Sequence, residues 1–220
     1  IRVSVRHSTL GWRQSAEEAA MQFEHLGARP RIDPSAVVAA SAVISGDVTI
    51  GADCHVLHGA VITAEGGPIT IGEHSIVMEN AVIRASSADP VHIGSHCLVG
   101  PGAMVSGASI GDEVFLATGT RVFNGAHLGD RSEVRVNATV HLRTNLPEDT
   151  VVPIGWVAVG DPATLYSPDQ HEEIWAAQRE LDFLGYVFGI DRSTPDLMVQ
   201  LTERYGRSLA RHARDEQVGD

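Results

Sequence analysis

The chain is poor in cysteine, in basic residues and in long apolar runs, and each shortage removes a class of protein. Its 220 residues contain two cysteines, Cys54 and Cys97, too few for a disulfide framework, and a chain of this length can build a core without one. Sixteen Lys+Arg against 28 Asp+Glu leave a net charge of −12. That balance argues against nucleic acid or an anionic membrane as partner, because both require a basic surface. No stretch approaches the length of unbroken apolar sequence that a membrane span needs. Residues 1–9 alternate Arg and Ser with Val rather than forming the apolar run of a signal peptide, so a reducing cytoplasm is the expected location. The Asn137-Ala138-Thr139 sequon is then incidental.

What the sequence does have is a beat of six. An aliphatic residue recurs at Ile32, Val38, Ile44, Ile50, Val56 and Ile62, then at Ile71, Val77 and Ile83, then at Ile93, Val99 and Val105. One residue is dropped, and the series resumes at Ile110, Leu116, Val122, Leu128, Val134 and Val140. Four positions after most of these stands a small residue, among them Ala42, Cys54, Ala60, Ser75, Ala81, Cys97, Ala103 and Ala138. A period of six is neither a helical face, which recurs near 3.6, nor plain strand alternation. It is the signature of a hexapeptide solenoid, in which three short parallel strands make one triangular coil of about eighteen residues. The expected fold class is therefore β: a left-handed parallel β-helix followed by C-terminal α-helices. The aliphatic residues fill the prism, and the small ones, both cysteines included, sit where the wall bends.

The expected organisation is a lead-in over 1–31, the β-helix over 32–165 and a C-terminal helical segment over 166–220. A short helix is expected over 15–26, ending at Gly27. Two loops leave the prism, at 63–68 and 85–90. Ser167-Pro168-Asp169 and Thr194-Pro195-Asp196 each combine a capping residue with Pro in the first turn, which opens helices running to about Leu184 and about Arg214. A prism filled with aliphatics has no internal cavity, so chemistry must lie between prisms, which favours a homo-oligomer.

Three stretches carry a more specific likeness. These are Ile71-Gly72 with Met78-Glu79-Asn80-Ala81-Val82-Ile83-Arg84, then Ile93-Gly94 with the run from Val99 to Ala108, then Val159-Gly160-Asp161-Pro162-Ala163. Over about Ile32 to Leu165 the chain resembles the gamma-class carbonic anhydrase family. The resemblance implies a homotrimer of left-handed β-helices, with zinc held at each subunit interface by three histidines. At the three histidine positions this chain has Arg84, Pro101 and Ser106. Neither a guanidinium nor Pro ligates Zn²⁺, and a neutral Ser is a poor third ligand. No cofactor is therefore expected, and no metal at the family position. The family's loop Arg-Gly-Asp is Thr63-Ala64-Glu65 here, and its Gln-Asp pair is Met78-Glu79.

The repeat places Ser45, Thr63, Arg84, Ser106, Phe123 and His141 in one outward row on the third strands. His58, Glu79, Pro101 and Thr118 form a second row, which the resemblance assigns to the neighbouring subunit's wall of the cleft. Arg84 is expected to anchor a carboxylate or similar anion by a forked contact, or else to form an intersubunit ion pair with Glu79 or Glu65. Thr63, Met78, Pro101, Thr118 and Phe123 would line the substrate site. Glu65, Glu79, Ser106 and His141 are the candidate catalytic groups: carboxylates and an imidazole for proton transfer, a hydroxyl as nucleophile. His141 lies two coils below Ser106, about 9–10 Å at strand spacing, so a direct Ser–His pair is not expected. The functional expectation is a homotrimeric enzyme acting on a small anionic or acyl substrate by lyase, hydratase or hydrolase chemistry. The alternatives are an acyltransferase using a CoA thioester and a non-catalytic structural or binding trimer.

Overall fold

The computed structural model describes residues 20–218. Its body is a left-handed β-helix whose three walls are parallel sheets of short strands. The first wall stacks seven strands from Arg31–Ile32 to Asn145–Leu146, the second seven from Val37–Val38 to Val151–Val152. The third runs from Val43–Ser45 through Val61–Glu65, Val82–Ser86, Met104–Ser106, Arg121–Val122 and Thr139–Val140 to Val157–Val159.

The six-residue beat explains this geometry. In each two- or three-residue strand one side chain points in and its neighbour out. The inward series on the third wall is in register from coil to coil: Ile44, Ile62, Ile83, Val105, Val122, Val140. Every member is fully buried. Ala42, Ala60, Ala81, Ala103 and Ala138 fill the bends, also buried. Cys54 and Cys97 are free thiols in the same slot, their Sγ atoms donating to the carbonyls of Gly72 and Gly111. Burial pushes the Cys97 thiol up to about 11, which makes it a wall residue rather than a nucleophile.

The walls differ on their outer sides. The first presents a polar row, including Arg31, Thr49, Thr70, His92 and Ser109. The second presents Val37, His55, Ile76, Leu98, Phe115, Glu133 and Val151, a largely apolar row in which Val37 and Val151 are exposed. The third carries the row that begins at Ser45.

Three expectations change. Residues 15–19 lie outside the described residues, but Met21–Glu24 is a strand, not a helix, and pairs parallel with Val43–Ser45. It covers the top edge of the third wall, which would otherwise leave unpaired backbone groups. Residues 63–65 and 85–86 belong to strands rather than loops, because Ala64 and Ala85 continue the in–out alternation and are buried. The first C-terminal helix is divided: α1 covers His171–Glu180 and α2 covers Phe183–Phe188. Asp182, left-handed at φ 45, separates them and caps α2 by accepting from the Gly185 amide. Helix α3 covers Leu197–Leu209 and tightens into a 3₁₀ turn over Ala210–Arg214. Strand Thr164–Tyr166 closes the bottom of the third wall. At the top, Glu216–Gln217 pairs antiparallel with Met21–Glu24. The C-terminal segment thus returns to the first coil.

Candidate functional site

The register sets Ser45, Thr63, Arg84 and Ser106 one above another on the third wall. Phe123 and His141 continue the row, with ring centroids 5.4 Å apart. Arg84 stands at its centre. Its guanidinium forms an ion pair with Glu65, donates to the Tyr205 hydroxyl at 2.6 Å and lies 5.8 Å from the centroid of that ring. Glu65 is only 16% exposed at its side chain, against 40% for Arg84. Burial pushes the Tyr205 hydroxyl pKa up; the Arg84 cation opposes that rise and the Glu65 carboxylate adds to it.

Two cavities flank Arg84. The upper one, about 490 Å³, is lined by Ser45, Thr63, Glu65, Arg84, His212 and Asp215 with Phe23, Val43, Val61 and Val82. The lower one, about 500 Å³, lies between the wall and the C-terminal helices. Glu65, Arg84, Ser86, Ser106, Phe123 and Asn124 line it from the wall, and Phe183, Phe188, Arg204, Tyr205, Ser208 and Arg211 from the helices. Of these, Arg84, Arg204 and Arg211 are cationic and Glu65 alone is anionic. The loop after Ser86 pins the cover: Asp89 accepts from the Tyr186 hydroxyl at 2.8 Å and from Asn124 Nδ2 at 3.1 Å.

The sequence-based expectation placed a second subunit against this row. Here the chain's own α2, α3 and 3₁₀ turn lie there. The structure brings together Thr63, Glu65, Arg84, Ser106 and Phe123. Glu79, Pro101 and Thr118 stack at a different corner, each carbonyl accepting from the amide one coil on, at Gly102, Gly119 and Asn137. None of these three, nor Met78 or His58, lines either cavity. His141 is 8% exposed and screened from Ser106 by Phe123. Its Nδ1 accepts from the Leu142 amide at 2.8 Å, and burial lowers its pKa.

Sequence reasoning missed His25, which follows the strand Met21–Glu24, and Tyr205, Arg204, Arg211, His212 and Asp215, which the C-terminal segment carries to the row. The available signal was a run of arginines at 204, 207, 211 and 214 near the end of an acidic chain. Asp215 receives hydrogen bonds from both histidines; burial raises its pKa, but these bonds outweigh it and hold the carboxyl below its ordinary value.

Residues 90–124 match the family described as the hexapeptide repeat of succinyl-transferase. Gamma carbonic anhydrase 1 of Arabidopsis thaliana is 26% identical over 151 residues, covering 66% of this chain and 53% of that protein. The carboxysome assembly protein CcmM of Synechococcus elongatus is 35% identical over 184 residues, 76% of this chain and 33% of its own length. Dynactin subunit 6 of Danio rerio is 31% identical over 134 residues, 56% of this chain and 69% of that one. Among solved structures, a Bacillus cereus protein assigned to the acetyltransferases superposes with a TM-score of 0.51 at 21% identity, covering 86% of this chain and 98% of its own; that likeness shows the fold alone. The chain spans about half the length of the first gamma carbonic anhydrases it matches. No helix among the described residues is long and apolar enough to cross a membrane. With the repeat, the walls and these relatives in agreement, the chain belongs to the gamma carbonic anhydrase-like family of hexapeptide-repeat, left-handed β-helix proteins.

Proposed function

We propose that the chain is the protomer of a homotrimer that binds and processes a small anionic substrate at Arg84, without zinc at the family position. The observation that carries this reading is the charge of the lower cavity. In a chain of net charge −12, three guanidiniums face one carboxylate across about 500 Å³, which favours a small carboxylate or acyl anion. The residues at the family's zinc positions do not suit that ion. The Arg84 guanidinium is held by Glu65 and Tyr205, Pro101 has no side-chain donor atom, and Ser106 offers a neutral hydroxyl.

In this reading Arg84 exchanges its Glu65 partner for the substrate carboxylate, as a fork of paired hydrogen bonds. The freed Glu65 carboxylate is then the proton acceptor beside the bound anion, and Ser106 orients the substrate from the coil below. His141 supports the Phe123 ring instead of transferring protons, because its Nδ1 is committed to the Leu142 amide. The exposed apolar positions Val37, Val136, Val151 and Ile154 give the trimer a contact face, which would carry Glu79, Pro101 and Thr118 toward a neighbour.

A non-catalytic assembly trimer is the second reading, favoured by the closure of Arg84 on Glu65 and Tyr205. Calorimetry with formate, acetate, malonate and succinate separates the two, with light scattering as the control for the trimer. Arg84→Ala should weaken binding by about 2 kcal/mol, roughly 30-fold, the low end for losing one partner of a desolvated charge pair, because Arg84 is 40% exposed. Arg84→Lys should restore only part of it. Unchanged binding, or dissociation of the trimer by Arg84→Ala, favours the assembly reading.

A further inference from the structure

A residue near the first coil and two from the C-terminal segment converge above Arg84. His25 follows the strand Met21–Glu24, His212 lies in the 3₁₀ turn, and Asp215 precedes the returning strand Glu216–Gln217. The Asp215 carboxylate accepts from both rings, from His25 Nδ1 at 2.6 Å on one oxygen and from His212 Nδ1 at 2.8 Å on the other. The imidazoles are stacked, with centroids 4.3 Å apart and planes 17° from parallel, so both Nδ1 edges face one carboxylate. His25 is 3% exposed. Among the described residues no other His, Cys, Asp or Glu trio brings one ligand atom from each within 4.8 Å of the others.

We propose that His25, His212 and Asp215 form a divalent transition-metal site, of a kind suited to Zn²⁺, with its fourth position open to the upper cavity. The proposal goes beyond the anion site at Arg84 and does not depend on it. Two imidazoles and one carboxylate suit zinc better than calcium or magnesium, which prefer all-oxygen shells. A tetrahedral zinc with bonds of about 2.0–2.1 Å holds its ligand atoms about 3.3 Å apart. The present contacts of 2.6 and 2.8 Å run to the two different Asp215 oxygens, so loading requires them to open by about 0.5–0.7 Å and the stacked rings to turn out of their 17° alignment as the ion takes the place of the two Nδ1 protons.

Two independent features support a loaded site. His212 and Asp215 line the upper cavity together with Ser45, whose Oγ is buried without a hydrogen-bond partner and is placed to meet a solvent ligand of the ion. A metal-binding histidine also directs its second nitrogen at a carboxylate. Here His212 Nε2 lies 3.9 Å from Glu65 Oε1, and Arg84 holds Glu65 in turn.

The full chain, stripped with chelator and titrated with ZnCl₂ in a calorimeter, should take up one ion per chain, with elemental analysis after desalting as the second measure. Asp215→Asn and His212→Asn should each lose that uptake, and Glu65→Gln should weaken it 10–100-fold, the usual effect of removing an outer-shell partner. Wild type, but not Asp215→Asn, should gain thermal stability from zinc. His96→Ala removes an exposed histidine stacked on His74 and should bind zinc as wild type does. Arg84→Ala should retain one zinc per chain, so failure of the anion reading leaves this test intact. Absence of stoichiometric uptake by wild type, or loss of uptake in His96→Ala but not in Asp215→Asn, overturns the proposal and leaves the trio as a hydrogen-bonded clamp.

Discussion

Two glycines of the solenoid should fail for opposite reasons when a methyl group is added. Gly94 has no left-handed backbone, but a Cβ there would lie 2.4 Å from Asp112 Oδ1, 2.5 Å from the Gly111 carbonyl oxygen and 2.7 Å from its carbon. The Asp112 carboxylate could swing aside. The Gly111 carbonyl belongs to the next coil, which is tied on by the Gly94 amide donating to Ile110 O at 2.9 Å. Relief requires opening the coil spacing by the better part of an ångström, and Gly94→Ala should cost about 3 kcal/mol, the upper end for overpacking. Gly102 is the reverse: its φ is +62 and nothing lies within 4 Å of an added Cβ. Gly102→Ala should cost only the left-handed penalty, about 1–2 kcal/mol. Gly102→Asn should recover most of that, since Asn80 and Asn137 hold the same corner at φ 57. Urea unfolding followed by circular dichroism measures both. With a slope of about 3 kcal/mol/M, the midpoint should fall by about 1 M for Gly94→Ala and by about 0.3–0.7 M for Gly102→Ala. If Gly94→Ala is as stable as wild type, or Gly102→Ala costs as much, the coil spacing is not what the ladder implies. The vertical row through Thr63, Arg84 and Ser106 would then lose its basis.

The remaining predictions concern the groups beside that row. Burial lowers the His141 pKa from 6.5, so the unfolded chain takes up this proton first as pH falls. Its stabilising contribution is complete above pH 6.5 and disappears as pH drops through the folded value. His141→Asn, which keeps an acceptor for the Leu142 amide, should flatten the loss of melting temperature between pH 7 and pH 5 measured by calorimetry; an unchanged slope refutes the assignment. Tyr186→Phe removes a donor to Asp89 while Asn124 still donates to it, so it should cost about 0.5–1.5 kcal/mol. Hydrogen exchange should show faster amides in α2 and unchanged ones in the prism; loss of protection in the prism instead would contradict the view that this bond only fastens the cover.

The prism was legible because each coil repeats the same demand. Ile44, Ile62 and Ile83 face identical neighbours, so one inward aliphatic every six residues specifies both period and register, and the outward row from Ser45 to His141 follows by counting. The cover could not be read that way. His25 meets Asp215 across 190 residues, and no periodicity links the two. The expectation of a neighbouring subunit over Arg84 came from the family resemblance, whereas the contact with Tyr205 depends on where α3 happens to lie. The strand Met21–Glu24 did carry a signal, the apolar–polar alternation of Met-Gln-Phe-Glu, which a helix reading of the same short stretch overrode. The division of α1 from α2 rests on the left-handed backbone of Asp182, a choice that depends on its amide contact three residues later.

The pairing of Glu216–Gln217 with Met21–Glu24 has a consequence during synthesis. A stack of coils can assemble as it emerges, each new turn resting on the one before. The upper edge of the third wall waits longer, because the strand that caps it, Glu216–Gln217, is made long after Met21–Glu24. At about 5–20 residues per second, some 193 residues separate the two strands, so the nascent chain carries an unpaired edge for about 10–40 s. During that interval the first coil is a template for pairing with another ribosome's product, and the arrival of the C-terminal strand ends that exposure.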